Sequence, residues 1–140
     1  MTMTLYCFGE SGNAYKVALM LSVADQDWQP RYVDFFNGEA RGEAFRKLNP
    51  MGEVPVLVDG DEVLTQSGNI LYHLVGKIGR FGGSTPTAQK EVWRWVLWDN
   101  HKLSGQAGTC RFLMNFLPAE KRPEGVIPFL QGRLKAAYTV

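Results

Sequence analysis

The sequence predicts an α/β fold whose elements run βαβαββα, followed by a segment that is helical throughout. Three observations predict it. A β-rich run gives way to helical spacing within the first 25 residues, and the pattern changes to period two after Pro50 and Gly52. A run of breakers at residues 82–87 then separates this part from a stretch in which only helical spacing recurs.

Residues 3–8, MTLYCF, form a short β-rich run that stops at Gly9, as a buried first strand does. A small polar loop comes next. Over residues 12–25, Val17, Met20, Leu21 and Ala24 recur at helical spacing and predict the first helix. Residues 29–36, QPRYVDFF, read as extended, and the Glu- and Arg-rich stretch 39–48 has helical propensity. Beyond Gly52, VPVLV and EVLTQ flank the tight Asp59-Gly60-Asp61 turn and predict a hairpin. Ser67 is expected to cap an amphipathic helix whose Ile70, Leu71, Leu74, Val75 and Ile78 share a face and which ends near Gly79. One crossover unit and then a hairpin place four strands in a mixed sheet with helices on both faces, the thioredoxin-like plan.

Gly82-Gly83-Ser84-Thr85-Pro86-Thr87 is the natural linker. After it, Val92, Trp95, Val96, Asp99 and Leu103 mark a helix over residues 87–104, and Pro118, Pro123 and Pro128 punctuate the remainder of the chain. A last helix starts near Val126, and Ile127, Leu130, Leu134 and Ala137 keep its period to Val140. The expected organisation is therefore a ligand-binding domain at 1–80, a link at 81–86, and the first helices of an all-α domain at 87–140. That second domain is expected to be truncated.

At 140 residues, with 45% hydrophobic residues and 4 Trp, 8 Phe and 5 Tyr, the chain has ample material for a packed core. Its net charge of +1, with no block of like charges, gives a nucleic acid or an anionic membrane no electrostatic hold. No apolar run approaches the roughly 20 residues of a membrane span, and the start of the chain lacks a secretory pattern, so a cytoplasmic location is expected. Cys7 and Cys110 are far apart and form neither a disulfide framework nor a metal cluster with the two histidines.

Three landmarks carry a family likeness: Ser11-Gly12-Asn13 between first strand and first helix, Asn49-Pro50-Met51-Gly52-Glu53-Val54-Pro55, and Gln66-Ser67-Gly68. In type, order and spacing they resemble the glutathione-transferase superfamily, in particular its bacterial-type cytosolic members with a phi- or theta-like N-terminal domain. The likeness runs over about residues 3–78. It implies a glutathione transferase that conjugates the thiolate of glutathione to an electrophilic small molecule, with no cofactor or metal and as a homodimer.

By that resemblance, Pro55 follows a cis peptide bond that leaves the Val54 backbone free to pair with the cysteinyl unit of glutathione. A trans proline opening an edge strand is the plainer alternative. Ser67, at a helix N-terminus, would receive the γ-glutamyl carboxylate, and Gln66 the amino or carboxylate group of the same unit. Ser11 takes the position from which serine-type members hydrogen-bond the glutathione sulfur; Asn13 and then Tyr6 are the rival activators. Arg41 is expected to hold the glycyl carboxylate. Glu53 departs from the pattern, standing where several classes have an amide or a base, and an inward-facing acid there would repel the ligand carboxylates. Two further readings remain: a non-catalytic glutathione-binding or protein-interaction module, and a thiol-disulfide oxidoreductase acting through Cys7. Against the latter, Cys7 precedes the helix start and has no CxxC partner. Trp93, Trp95, Trp98, Phe112, Met114 and Phe116 form an aromatic-rich region that, by resemblance, would border the electrophile.

Overall fold

The structure, a computed structural model, describes residues 2–140. They form two compact units, the first running to Gly82 and the second being Gly83–Val140.

The first unit is built on four strands in the order β2-β1-β3-β4. β1 (Met3–Cys7) pairs in parallel with β2 (Trp28–Tyr32), from Met3↔Trp28 to Cys7↔Tyr32. On its other side β1 runs antiparallel to β3 (Val56–Asp59), which forms a hairpin with β4 (Glu62–Thr65). The parallel pair is joined through α1 (Gly12–Val23), as a crossover requires. This is the thioredoxin-like sheet.

Period-two alternation divides the side chains of β1 and β3 between two cores. Met3, Leu5 and Leu57 point to one face, where Val17 and Leu21 of α1 and Ile70 and Leu74 of α3 (Ser67–Ile78) close over them. Val56 points to the other, beneath Phe45 of α2 (Glu43–Leu48), with Val33, Ala40 and the half-buried Tyr6 beside it. Each large apolar side chain removed from water in this way contributes about 1.5–3 kcal/mol. The helical spacing in the sequence is thus the inner face of α1 and α3.

Several elements are shorter than their patterns. β2 ends at Tyr32 because β1 ends opposite it at Cys7; the Val33 N–H makes a last bond to the Cys7 carbonyl, 2.9 Å, and the chain then turns. The expected helix over 39–48 is two pieces, a 3-10 turn at Glu39–Arg41 and α2, separated by Gly42 with ψ 154°. α3 begins at Ser67 itself, so its N-cap is Gln66, at φ 66°, and not Ser67 as the sequence suggested. Gly79, at φ 69°, ends that helix where the sequence placed its end.

In the second unit, α4 (Pro86–Trp98) starts one residue before its expected position. The Thr85 hydroxyl accepts from the Ala88 N–H at 3.1 Å, and Pro86 occupies a first-turn site where no N–H is needed. The helix continues through a π-helical turn, Asp99–Ser104, into α5 (Gly105–Asn115), well past the expected end near Ser104. Within that turn the Ser104 hydroxyl donates to Asp99 at 2.8 Å. Arg122 closes α5, donating to the Met114 and Leu117 carbonyls. α6 (Val126–Ala137) carries Pro128 in its first turn and stops at Ala137, three residues earlier than its apolar period suggested.

Candidate functional site

The turn after β1 is short. The Ser11 N–H bonds back to the Phe8 carbonyl at 3.1 Å, and Ser11 then becomes the N-cap of α1, its hydroxyl oxygen accepting from the Ala14 N–H at 3.2 Å. A hydroxyl that accepts in a cap keeps its own proton to donate. Asn13, in the first turn of α1, accepts through Oδ1 from the Ser67 hydroxyl at 3.4 Å. This bond joins the N-terminus of α1 to that of α3. Both ends carry N–H groups without helical acceptors and the positive end of a helix dipole.

The third component is the segment between α2 and β3, pinned by one residue. Asn49, 1% exposed, donates to the Glu53 carbonyl at 2.8 Å and accepts from the Met51 N–H at 3.1 Å, while its own carbonyl accepts from Gly52. Gly52 has φ 66°, and a Cβ there would lie 2.9 Å from the Ala40 carbonyl oxygen and 4.0 Å from the Arg41 Cα. Only glycine fits both the angle and the approach. The same packing sets the 3-10 turn that carries Arg41 against this loop. Arg41 itself is exposed.

The Val54–Pro55 peptide bond is cis. Pro55 is buried and Val54 half-buried against the core under α2, while β3 starts only at Val56, so the Val54 backbone lies outside the ladder. Glu53 and Gln66 meet at the rim: Gln66 Nε2 donates to the Glu53 carboxylate at 3.2 Å and lies 3.1 Å from Met51 Sδ. The structure thus brings together Ser11, Asn13 and Ser67 on one side, and Glu53, Val54 and Gln66 on the other. Tyr6 lies elsewhere, its ring edge-on to Phe45, 6.2 Å between centroids, on the sheet face under α2.

Two features escaped the sequence. Asn49 reads there as a turn residue, yet it is a buried clamp; an Asn opening an Asn-Pro-x-Gly turn is the available signal. Phe8 stacks on Phe35 at 4.6 Å and meets Phe36 edge-on at 5.6 Å, an apolar cluster tied to the Ser11 turn through the Phe8 carbonyl. No spacing rule links residue 8 to 35 and 36.

Cys7 is half-buried at the end of β1, and burial pushes its thiol above the ordinary value, against a weaker opposing backbone hydrogen bond at Arg31. A thiol held protonated is a poor nucleophile.

On α3, His73 Nε2 lies 2.8 Å from Asp59 and its Nδ1 3.5 Å from Glu62. Asp59, Glu62 and His73 offer ligand atoms within 4.8 Å of one another. However, the Lys77 ammonium lies 2.9 and 2.8 Å from the two Asp59 oxygens, and the two acids face different ring nitrogens. An imidazole ligates a metal through one nitrogen, so the arrangement is an ion-pair network bracing the hairpin on α3. Burial acts to raise the Asp59 carboxyl, but the hydrogen bonds and charges of Lys77 and His73 outweigh it and hold the group below the usual carboxylate range. Among the described residues, no helix is long and apolar enough to cross a membrane.

A mixed β2-β1-β3-β4 sheet with a cis proline and two helix N-termini joined by a hydrogen bond defines a thioredoxin-like domain. Residues 1–76 match the family model of the glutathione S-transferase N-terminal domain. Glutathione S-transferase 1 of Dianthus caryophyllus is 43% identical over 75 residues, 54% of this chain and 34% of that protein. Among solved structures, a possible glutathione S-transferase from Rhodopseudomonas palustris superimposes with a TM-score of 0.90 at 27% identity, covering 99% of this chain and 69% of its own. Ure2p in complex with glutathione does so with a TM-score of 0.87 at 23% identity, covering 99% and 65%. The chain belongs to the glutathione S-transferase family and carries its N-terminal domain. It spans about a third of the length of the Dianthus relative.

Proposed function

We propose that the protein binds glutathione in the first unit and lowers the pKa of its thiol for attack on an electrophilic small molecule. One observation carries the reading: the Ser67–Asn13 contact of 3.4 Å brings two helix N-termini together, and the Gln66–Glu53 contact of 3.2 Å ties the start of α3 to the residue before Val54. In this pose the γ-glutamyl carboxylate meets the first N–H groups of α3 at Ser67, and the cysteinyl backbone pairs with Val54 before Pro55. The glycyl carboxylate lies toward Arg41, whose turn packs on the same loop.

The sulfur then falls near Ser11. A free thiol has a pKa of about 8.5, so at pH 7 only a few per cent is thiolate, and lowering it by two units takes roughly 2.7 kcal/mol. A charge-assisted bond from the Ser11 hydroxyl, with Asn13 and the α1 dipole in support, is of that order. The thiolate sulfur bonds to the electrophilic carbon, the thiol proton passes to water, and a leaving group departs or a double bond takes the charge. The Phe8, Phe35 and Phe36 cluster beside Ser11 suits an apolar electrophile. Residues 1–80 form the glutathione domain in this reading, 81–86 the link, and 87–140 the first helices of an all-α domain; the working form is a homodimer.

Titration calorimetry with glutathione and a conjugation assay with an activated aryl halide test it. Binding with thioether formation is expected, and no heat at millimolar glutathione would falsify the site. The likeness to Ure2p, a structure solved in complex with glutathione, keeps one second reading, a glutathione-binding module without turnover. Binding without conjugation of any electrophile selects it. The raised Cys7 thiol argues against disulfide exchange.

A further inference from the structure

Met51 holds an oxidisable sulfur against the rim of the site. Its backbone is fixed in the turn after α2, where Asn49 Oδ1 accepts from the Met51 N–H at 3.1 Å and Gly52 packs on the Ala40 carbonyl. Its side chain is 57% exposed, with Sδ 3.1 Å from Gln66 Nε2. The same nitrogen donates to the Glu53 carboxylate at 3.2 Å. Gln66 has little freedom to retreat, because it caps α3 at φ 66° and its carbonyl accepts from the Ile70 N–H at 3.0 Å. A thioether is a weak acceptor, whereas oxidation to the sulfoxide makes the side chain polar and gives it an oxygen that accepts well. A hydrogen bond to that oxygen spans about 2.9 Å by itself. An S=O group therefore cannot enter the 3.1 Å gap between sulfur and nitrogen unless the Gln66 amide or the Met51 side chain moves.

We propose that Met51 is a modification site for hydroperoxides, and that its oxidation to the sulfoxide draws the Gln66 amide off Glu53 and weakens glutathione binding. The inference rests on the glutathione reading above and concerns how that site is regulated. In the step, the thioether sulfur attacks the terminal peroxide oxygen: the O–O bond breaks, the S–O bond forms, and the sulfur gives up two electrons. The proton of that oxygen passes to the departing alkoxide, which leaves as an alcohol, or as water where the oxidant is hydrogen peroxide. A methionine sulfoxide reductase with a dithiol returns the thioether, so the change is reversible. Met3 is buried in the core under α1 and α3, and Met20 is half-buried against it. Met114 is exposed but belongs to the second unit, where Cys110 and Gln131 lie 3.7 and 3.8 Å from its sulfur. Met51 thus combines exposure with contact to a side chain of the site.

The test uses the intact chain treated with hydrogen peroxide, freed of it with catalase, and reduced with dithiothreitol, which restores cysteines and leaves sulfoxides in place. Peptide mass spectrometry is expected to find Met51 oxidised ahead of Met3 and Met20. Calorimetry is expected to find glutathione bound at least about fivefold more weakly than before treatment. Methionine sulfoxide reductases acting on both epimers should recover the affinity. Met51→Leu should keep its own affinity through the treatment, whereas Met114→Leu should respond as wild type does. A Met51→Leu variant that loses affinity as wild type does, an oxidised Met51 with affinity unchanged, or a Met51 that peroxide leaves unoxidised overturns the inference and leaves glutathione binding standing. Failure of untreated wild-type protein to bind glutathione overturns the glutathione reading and this inference with it.

Discussion

At the scale of single residues, the cap that Ser11 forms does not compete with the role proposed for it. Its oxygen accepts from the Ala14 N–H, which leaves its proton for the thiolate of the proposed mechanism. Ser11→Ala should therefore separate them. Loss of the cap lowers stability by about 1 kcal/mol, while loss of the donor lowers turnover about 10- to 100-fold with glutathione affinity changed far less. Thermal melts, calorimetry and initial rates at fixed pH read the three quantities. Unchanged turnover in this variant, with turnover lost in Asn13→Ala, transfers the role to Asn13. Cys7 illustrates the converse: it lies four positions before Ser11, yet burial at the strand end keeps its thiol neutral.

At the scale of elements, the segment 49–55 and the β3–β4 hairpin are each braced by one buried polar side chain. Asn49→Ala leaves the Met51 N–H and the Glu53 carbonyl without their partner, at about 1–3 kcal/mol for each group that stays buried. The variant should melt several degrees lower and bind glutathione more weakly, because the same loop carries Glu53 and Val54. An unchanged dissociation constant would separate the clamp from the site. In the hairpin, Asp59 is held below its ordinary carboxyl pKa of about 3.9 by Lys77 and His73. Its stabilising effect is thus fully present above about pH 5 and is lost as pH falls through the folded value. Comparing melts of wild type and Asp59→Asn from pH 7 to pH 3 should show a gap that narrows toward acid; a gap constant with pH would remove the carboxylate from the explanation.

At the scale of the whole molecule, the first unit holds its site on a scaffold that is rigid where Leu5, Leu21, Leu57, Ile70 and Leu74 interlock. The two helices whose N-termini form the proposed site are the two that close this core. Ligand that binds only the folded unit stabilises it by mass action, about 2.7 kcal/mol at a hundredfold excess over the dissociation constant. The melting temperature should accordingly climb with the logarithm of glutathione concentration, and less steeply in Ser67→Ala, which lacks the hydroxyl that joins α3 to Asn13. A melting temperature indifferent to glutathione counts against the site as a whole.

Much of this was legible along the chain. The alternation in VPVLV, the Asp59-Gly60-Asp61 turn, the apolar stripe from Ile70 to Ile78 and Gly79 at its end are local, because period and turn chemistry depend on neighbours a few positions away. The landmark motifs in turn pointed to the residues that the fold gathers. Contacts between positions that only the crossover and the hairpin bring together were beyond the sequence. Asn13 meets Ser67 across 54 positions, Gln66 faces Glu53 across 13, and Phe8 reaches Phe35 over a strand pairing. Tertiary packing decided that Ser67 opens α3 instead of capping it, that Tyr6 packs under α2, and that the Gln66 amide turns its nitrogen to Glu53. Residue types and periods are properties of the chain, whereas the sense of an amide is set by which acceptor folding places beside it.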